Sequence, residues 1–369
     1  MRNTYLVFLS FYFFFSCSKE EELVTPEIQE GISFELVGVN TDAVFQYSYD
    51  GSLNSGVETN LTNEVGVGTN YLTLRQNGPT LSFYSFNSGQ FSLYQKNIKT
   101  GEVKNFEDFY TNTSERSIVW GTNNDTSVFF GFYKPQGTSN LAIRNIDLGT
   151  LEGTDLSLEF NINTLYPPLY HNGKLFITYK TNTLDYSIAV YDTDNSTLEQ
   201  TISYGTDAPS ILINDDGDLA VFKFSTDFST SIDILDFDTL EKVQEFSPTL
   251  MQQFNPGPIN AKLIDDKFYY EFEYSQPFSI ERGPAVYDLT TGTNTIIDLL
   301  GLMNEVEMAN DASIYIFSQQ YNAKEKVFLV SYVEFTNDNR LRGGAMVISN
   351  EGKLVDAVPL NFLPVYFIE

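Results

Sequence analysis

A unit of about 50 residues recurs along the chain and constrains the fold more than any other feature. In one register, a tight polar turn leads into a strand rich in aromatic and β-branched residues, as in "NGPTLSFYSF" and "NDTSVFFGFYK". Copies of this register begin at Asn77, Asn124, Asn172, Asp216 and Asp265, with a weaker copy at Lys324. In a second register, strand–turn–strand segments such as "VYDTDNSTLEQ" and "VYDLTTGTNTI" recur at nearly the same spacing. Because the two registers keep step, they indicate one repeated supersecondary unit.

Repeats of this length with four short strands are typical of β-propeller blades. Six such units cover about residues 67 to 357, and the remaining apolar runs lie at the two ends of the chain. "ISFELVGV", "AVFQYSY" and a polar third run precede the units, and "LNFLPVYFIE" follows them. Together these runs predict a seventh four-stranded blade that both termini share, which would leave no open sheet edge. A pair of β-sandwiches is the alternative, but it does not explain a single period.

The composition agrees with an all-β fold and excludes one class of partner. The chain has 31 Phe and 23 Tyr, which suit pleated, half-buried surfaces, and no long stretch keeps a 3.6-residue apolar period. Lys+Arg number 21 against 49 Asp+Glu, which gives a formal charge of −28. This field repels nucleic acid phosphates, so we expect no nucleic acid partner.

The N-terminal residues have the pattern of a secretion signal. Arg2 precedes an apolar run from Tyr5 to Phe15, which is shorter than the roughly 20 residues that span a bilayer. Ser16 and the chain's only cysteine, Cys17, follow. This arrangement resembles the lipobox of bacterial lipoproteins, although phenylalanines replace the usual aliphatic and small residues. Relaxed lipoboxes of this kind occur in lipoproteins of the Bacteroidetes type. The Ser/Lys/acid run that follows, Ser18–Glu22, resembles the surface-export signal of those lipoproteins.

The resemblance implies a lipoprotein signal peptide over residues 1–16, lipidation of Cys17 and an acidic tether over residues 17–30. The protein would then be lipid-anchored in the outer membrane and exposed at the cell surface, with residues 31–369 as the propeller. The alternatives for Cys17 are an ordinary cleaved signal and a free thiol with a core or catalytic role. Once Cys17 is lipidated, no thiol remains for a disulfide or a cysteine nucleophile.

Residue patterns typical of catalysis or metal binding are scarce. The single histidine, His171, lies just before a predicted hairpin turn, and no G-x-S-x-G motif accompanies it. Two acidic runs, Asp192–Ser196 and Asn214–Asp218, lack the spacing of a calcium loop and fall on predicted turns. We therefore predict no catalytic residue, no metal and no cofactor. Paired carboxylates of a glycosidase stay open, because the 49 acidic residues do not single out a pair.

Long loops point to binding on one face of the predicted propeller. Connections between the second and third strands of a blade, and between blades, lie on the same face and include "YSQPFSIERG", "FTNDNRLRG", "SPTLMQQFNPGPIN" and "DLLGLMNEVEMAND". Three arginines, Arg282, Arg340 and Arg342, fall in two of these loops and form a positive island in an acidic chain. Because guanidinium groups suit carboxylates and phosphates, we predict an anionic ligand here. The predicted flanking aromatic residues are Phe254, Tyr274 and Phe278. Surface pairing of these arginines with Glu281 and Asp338 is the alternative.

The repeated "VYD…TG" segments resemble the seven-bladed propellers of the lactonase-like and quinoprotein-like superfamily. The chain also resembles propeller lipoproteins of Bacteroidetes-type bacteria, and this resemblance implies a role beside a TonB-dependent transporter or another outer-membrane protein. We therefore expect an envelope protein that binds a ligand or a protein partner on its long-loop face and is not an enzyme. A structural subunit of an outer-membrane complex is the first alternative, and an enzyme acting on glycans or lactones is the second.

Overall fold

Seven small sheets form a seven-bladed β-propeller, as the repeat predicts. The computed structural model describes residues 31–111, 118–134, 137–158, 161–250, 252–275, 280–310, 312–335 and 342–369. Cys17, the predicted signal peptide and the predicted tether lie outside these residues. Each blade has four main antiparallel strands, from an innermost to an outermost strand.

In every blade the strands occur in the predicted order along the chain. The blade that closes the ring holds β1 (Phe34–Val39), β2 (Val44–Asp50), β3 (Ser55–Asn60) and β30 (Leu363–Ile368). Blade 1 holds β4 (Thr73–Asn77), β5 (Thr80–Asn87), β6 (Gln90–Asn97) and β7 (Val103–Thr111). Blade 2 holds β8 (Ile118–Asn123), β9 (Ser127–Tyr133), β10 (Leu141–Asp147) and β11 (Gly153–Ser157). Blade 3 holds β12 (Ile162–Leu165), β13 (Leu169–His171), β14 (Lys174–Thr181), β15 (Tyr186–Asp192) and β16 (Thr197–Gly205).

The remaining three blades repeat the pattern with longer connections. Blade 4 holds β17 (Ala208–Ile213), β18 (Leu219–Phe224), β19 (Thr230–Leu235), β20 (Lys242–Phe246) and β21 (Gly257–Pro258). Blade 5 holds β22 (Lys262–Ile264), β23 (Lys267–Glu273), β24 (Arg282–Asp288) and β25 (Thr293–Ile296). Blade 6 holds β26 (Ser313–Asn322), β27 (Val327–Phe335), β28 (Arg342–Ser349) and β29 (Leu354–Leu360). Two helices, α1 (Leu61–Val65) and α2 (Leu299–Asn310), lie in connections between blades.

The core lies between neighbouring blades, and this explains the aromatic runs in the sequence. Strand β14, for example, is buried over five successive residues from Leu175 to Tyr179, because blades cover it on both sides. Its side chains pack with Trp120 and Phe129 of blade 2 in one apolar cluster. The outermost strands are exposed, as in β16. Strands buried on both faces therefore lose the polar alternation that a half-buried strand keeps.

The two ends of the chain close the ring as predicted. β30 pairs antiparallel with β1, so the C-terminal strand becomes the innermost strand of the closing blade. Gln76 of blade 1 secures it: its Nε2 donates to the carbonyl oxygen of Glu369 at 2.8 Å, and its Oε1 accepts from the Glu369 N–H at 3.1 Å. The Glu369 carboxylate also lies 2.6 Å from Lys262 Nζ of blade 5. Gln320 Nε2 of blade 6 donates to the same carboxylate at 2.8 Å, so the last residue joins blades 1, 5 and 6 to the closing blade.

Two predicted long loops contain regular structure instead. Within 247–260, Gly257 and Pro258 form β21, which runs parallel to β17. Within 297–310, Leu299, Leu302, Met303 and Val306 are buried on one side of α2. This spacing follows a helical period, but the run is too short to count as a sustained period in the sequence. Among the described residues, neither helix is long and apolar enough to cross a membrane.

The turn between the third and fourth strands has one recurring design. An Asp or Asn side chain at the end of the third strand accepts hydrogen bonds from N–H groups two and three residues later. The residues are Asn97, Asp147, Asp192, Asp236 and Asp288. The turn then needs a residue with positive φ, which is Gly in two copies, Ser196 in one, and Leu151 and Leu240 in the others. This design accounts for the second sequence register.

Candidate functional site

The long-loop face is the face that carries the connections between blades and the loops between second and third strands. Among the described residues it includes 61–72, 182–185, 252–261 and 297–310. Two cavities lined by described residues of this face are candidate ligand sites. One involves blades 4 to 6 and contains two of the predicted ligand residues, and the other lies between blades 1 and 2.

The blade 4–6 cavity has a volume of about 330 Å³ and is lined by residues that include Phe254, Tyr270, Glu271 and Arg282. Arg282 Nη1 lies 3.0 Å from Glu271 Oε1, so the predicted cation is already paired. The acid is Glu271, not the Glu281 considered from the sequence. Burial raises the pKa of Glu271, and the nearby Arg282 opposes this shift. The Arg282 side chain is 56% exposed, so solvent screens the pair.

The two predicted aromatic residues in the described chain have structural contacts. Phe254 packs edge-on against Phe268 at 5.5 Å between ring centroids, within the apolar core between blades 4 and 5. Tyr274 Oη donates to the carbonyl oxygen of Ile297 at 3.0 Å, and its ring covers Gly283. Burial raises the pKa of Tyr274. Tyr274 therefore joins a loop within blade 5 to the connection leading to blade 6.

The other predicted ligand residues are Arg342, Arg340 and Phe278. Arg342 begins β28, where its backbone pairs with that of Glu334. Arg340 and Phe278 lie outside the described residues. The structure thus brings Arg282 and Phe254 to one cavity, and ligand binding by the predicted arginine island stays a prediction.

The blade 1–2 cavity is larger, about 570 Å³, and sequence reasoning missed it. Its walls are mainly apolar and aromatic, and blade 3 contributes Leu165, Tyr166 and Pro167. The prolines in "YPPLYH" interrupt the innermost strand of blade 3 between β12 and β13, because proline has no N–H to donate. This interruption places Tyr166 and Pro167 at the cavity. The apolar walls include Leu72, Phe86, Phe91, Val119, Trp120 and Phe130.

Arg75 is the cation of the blade 1–2 cavity. It lies on β4, the innermost strand of blade 1, and its Nε donates to the carbonyl oxygen of Gly121 at a long 3.4 Å. Burial lowers the pKa of the Arg75 guanidinium, and the titratable groups of the described chain that act on it are the phenols of Tyr84 and Tyr366. No carboxylate of the described residues forms an ion pair with Arg75.

Other arginines of the described chain show what a paired site looks like. Arg144 Nε and Nη2 donate to the two carboxylate oxygens of Asp155, at 2.5 and 2.9 Å. Arg282 has Glu271. In a chain of net charge −28, a largely buried arginine without such a carboxylate is exceptional. The sequence signal was a cation on a predicted innermost strand, in "TLRQN", among only six arginines after Cys17.

Tyr84 and Trp120 form the rigid back of this cavity. Tyr84 is buried, and its Oη donates to Asn123 Oδ1 at 2.7 Å. Trp120, the only tryptophan of the chain, lies over Gly131, where an added Cβ would be 2.7 Å from its indole Nε1. Because both aromatic rings are held by adjacent strands, the cavity wall is preformed.

Neither the histidine nor the acidic runs assemble a reactive group. His171 Nε2 lies 3.0 Å from the amide nitrogen of Asn172, and its ring meets Phe237 edge-on; burial lowers its pKa. The runs at Asp192–Ser196 and Asn214–Asp218 form turns in which side chains accept backbone N–H groups. Over the described ranges, no group of three His, Cys, Asp or Glu residues is placed to hold a metal ion.

Comparisons with solved structures agree with the fold. A structure described as a putative 6-phosphogluconolactonase from Bacteroides fragilis NCTC 9343 superposes with a TM-score of 0.50 at 13% identity. That match covers 93% of this chain and all of that one. TolB from Acinetobacter baumannii gives a TM-score of 0.41 at 14% identity, over 91% of this chain and 81% of that one.

A prolyl endopeptidase structure gives a TM-score of 0.49 at 12% identity, over 79% of this chain. This chain spans 43% of that protein's length. No protein-family model matches the chain, and no curated protein sequence matches it. At these identities the likeness shows the β-propeller fold alone.

Proposed function

We propose that the protein is a lipid-anchored β-propeller of the outer membrane that binds a small ligand on its long-loop face. The single observation that carries the binding role is the blade 1–2 cavity, whose volume of about 570 Å³ suits a small molecule. It is preformed, largely apolar and contains a half-buried cation, Arg75, which is the usual composition of a ligand site.

Binding rather than catalysis is supported by the lining of this cavity. Its ionisable and hydroxyl groups come from Thr73, Arg75, Tyr84 and Tyr166. Burial and the neighbouring Tyr186 raise the pKa of Tyr166 to about 12, so this phenol is a poor base at neutral pH. Within the described part of the chain, no histidine or carboxylate lines the cavity, so these residues supply no general acid–base pair.

The anchoring part of the proposal rests on the sequence around Cys17. We expect growth with labelled palmitate to label the full-length protein, and fractionation to place it in the outer membrane. A Cys17→Ser variant should carry no label and should leave the membrane fraction. A labelled Cys17→Ser variant, or a wild-type protein that stays soluble and unlabelled, would refute the anchor.

A second candidate function, docking of an outer-membrane protein, is supported by apolar side chains exposed on the long-loop face. Leu184, Phe228 and Phe335 each lie at loops between second and third strands, and Phe228 is 77% exposed. Scattered exposed apolar residues are common on protein surfaces, so a test of docking must compare the long-loop face with the opposite face. A TonB-dependent transporter is the partner that the lipoprotein resemblance implies.

The docking test compares one side chain on each face. The protein would be purified from membranes and probed for a co-purifying TonB-dependent transporter. Phe228→Asp should reduce recovery of the transporter, and Leu53→Asp, at a 72% exposed position in a turn on the opposite face, should not. Equal recovery with both variants would rule out the long-loop face as the docking surface.

A further inference from the structure

We infer that the blade 1–2 cavity binds a small organic anion with an apolar body, and that Arg75 is the counter-charge for its carboxylate, sulfonate or phosphate group. The inference rests on the proposed binding function and names the class of ligand. It concerns a different site from the arginine island around Arg282.

Arg75 carries a positive charge that is largely withdrawn from water. Withdrawing a guanidinium from water has a cost, and this cost is usually offset by an ion pair with further hydrogen bonds. Within the described residues, Arg75 makes one hydrogen bond, from Nε to the Gly121 carbonyl at 3.4 Å, which is longer than a good N–H···O bond. A guanidinium offers five N–H donors, so most of its donor capacity is available to an anion.

An anion in this cavity would meet few competing charges. Tyr84 and Tyr366 are the titratable groups beside Arg75, and burial raises the pKa of both phenols, so both stay neutral at ordinary pH. Among the residues that the structure describes, no carboxylate lines the cavity. An incoming anion therefore meets the positive charge of Arg75 without a competing negative group of the lining. Elsewhere the surface is acidic, so this site is the exception to the overall field.

The walls of the cavity suit an apolar ligand body in both shape and chemistry. Leu72, Phe86 and Val119 line the cavity and are partly exposed, so they form its mouth. Phe91, Trp120 and Phe130 are buried and form its depth. Apolar and aromatic walls gain free energy by burying an apolar ligand body, roughly in proportion to the area removed from water. Together the walls and Arg75 select an amphiphilic anion over a bare inorganic one.

The blade 4–6 cavity gives an internal contrast. It also contains an arginine, but Glu271 pairs with Arg282 and Glu273 is a second acid in the lining. Its volume is about 330 Å³, against about 570 Å³ for the blade 1–2 cavity. An anion would have to displace the Glu271 carboxylate there, which makes Arg282 a matched control for Arg75.

The test uses two fluorescent probes that share an apolar body and differ in charge. 8-Anilinonaphthalene-1-sulfonate carries a sulfonate, and N-phenyl-1-naphthylamine has the same rings without it. We expect the protein to bind both, and Arg75→Ala to weaken sulfonate-probe binding roughly 10- to 100-fold, the loss typical of a hydrogen bond to a charged group. Binding of the neutral probe should change by no more than about threefold. Arg282→Ala should leave both affinities within the same limit.

Two further variants protect the test against misfolding. Arg75→Lys keeps the charge and should retain much of the sulfonate-probe affinity, although it loses the planar fork. Val119→Glu places a carboxylate at the 39% exposed rim and should weaken the sulfonate probe more than the neutral one. Each variant should show the circular dichroism spectrum of the parent protein.

Three results would overturn the inference. They are equal weakening of both probes by Arg75→Ala, no effect of either Arg75→Ala or Val119→Glu on the sulfonate probe, and binding of the neutral probe alone. These results leave the proposed binding function standing, because they concern the charge of the ligand and not the presence of a site. If neither probe binds and the Phe228→Asp docking test is also negative, the proposed function fails as well.

Discussion

Adding one methyl group at Gly131 tests the packing that builds the wall of the blade 1–2 cavity. A Cβ at this position would lie 2.7 Å from Cε2 and Nε1 of Trp120 and 3.1 Å from a methyl carbon of Leu141. Trp120 and Leu141 are both buried, so neither side chain can simply turn out to the surface. The indole must shift either within the packed space between blades 2 and 3 or into the blade 1–2 cavity that it lines.

The expected cost follows from two opposing effects. Overpacking a well-filled core typically costs about 1–3 kcal/mol. Replacing glycine by alanine returns about 0.4–1 kcal/mol, because the unfolded chain loses conformational freedom. We therefore expect Gly131→Ala to lower the free energy of unfolding by about 1–2 kcal/mol.

Gly121→Ala is the matched control on the neighbouring strand. Its Cβ would lie 3.4 Å from the ring of Tyr84, which is ordinary van der Waals contact. This variant should be as stable as the parent or more stable by up to about 1 kcal/mol. Urea unfolding followed by circular dichroism gives the stabilities, and the emission of Trp120, the only tryptophan, reports the indole in the native baseline.

The decisive comparison is between the two alanine variants. Gly131→Ala should be the less stable, with a shifted native Trp120 emission, and Gly121→Ala should keep the parent emission. If Gly131→Ala is as stable as Gly121→Ala and its emission is unchanged, the indole does not lie over Gly131 as described. The account of a preformed cavity wall would then be wrong.

Three further predictions concern the turns and the closure of the ring. Leu151→Gly should be neutral or stabilising by up to about 1 kcal/mol in thermal unfolding, because Leu151 has positive φ and is 47% exposed. Leu240→Gly should destabilise the protein by about 2 kcal/mol or more, because Leu240 also has positive φ but is only 6% exposed. Equal effects of the two substitutions would contradict the assigned turns. Hydrogen bonds from threonine N–H groups hold the pKa of three turn aspartates below the usual range; these are Asp147, Asp236 and Asp288. The stability that these aspartates add to the fold is therefore present above about pH 4 and is lost as the pH falls through their folded pKa values. Their triple substitution by Asn, which Asn97 shows is compatible with the turn, should flatten stability below pH 4, and an unchanged acid dependence would refute this assignment. Gln76→Ala removes the two hydrogen bonds to the Glu369 backbone and should lower the unfolding free energy by about 1–3 kcal/mol, and an unchanged urea midpoint would count against closure at this point.

Much of the architecture can be predicted from local patterns because every blade repeats them. The polar turn and aromatic strand beginning at Asn172, for example, correspond to the hairpin between β13 and β14. The closing blade could be predicted as well, because a propeller with a missing strand would expose an edge. These features depend on residues close together in the sequence.

Other features depend on contacts between blades and could not be predicted in this way. Gly257 lies in a connection without strand character, and its pairing beside Ser210 exists only because the connection folds back to β17. The helical spacing of Leu299 and Val306 is too short to stand out from loop sequence. Arg75 looks like any strand residue, and its exceptional surroundings come from Gly121 of blade 2 and Tyr366 of the closing blade.

A crystal structure of the protein with 8-anilinonaphthalene-1-sulfonate tests the central claim most directly. The account predicts density for the rings between blades 1 and 2, beside Phe91 and Trp120, and a sulfonate oxygen within hydrogen-bond distance of the Arg75 guanidinium. At the same probe concentration, the sulfonate probe should occupy this cavity to a smaller extent in Arg75→Ala than in the parent protein. Density for the probe only at other surfaces, or a wild-type cavity filled by the protein's own acidic side chains, would contradict it.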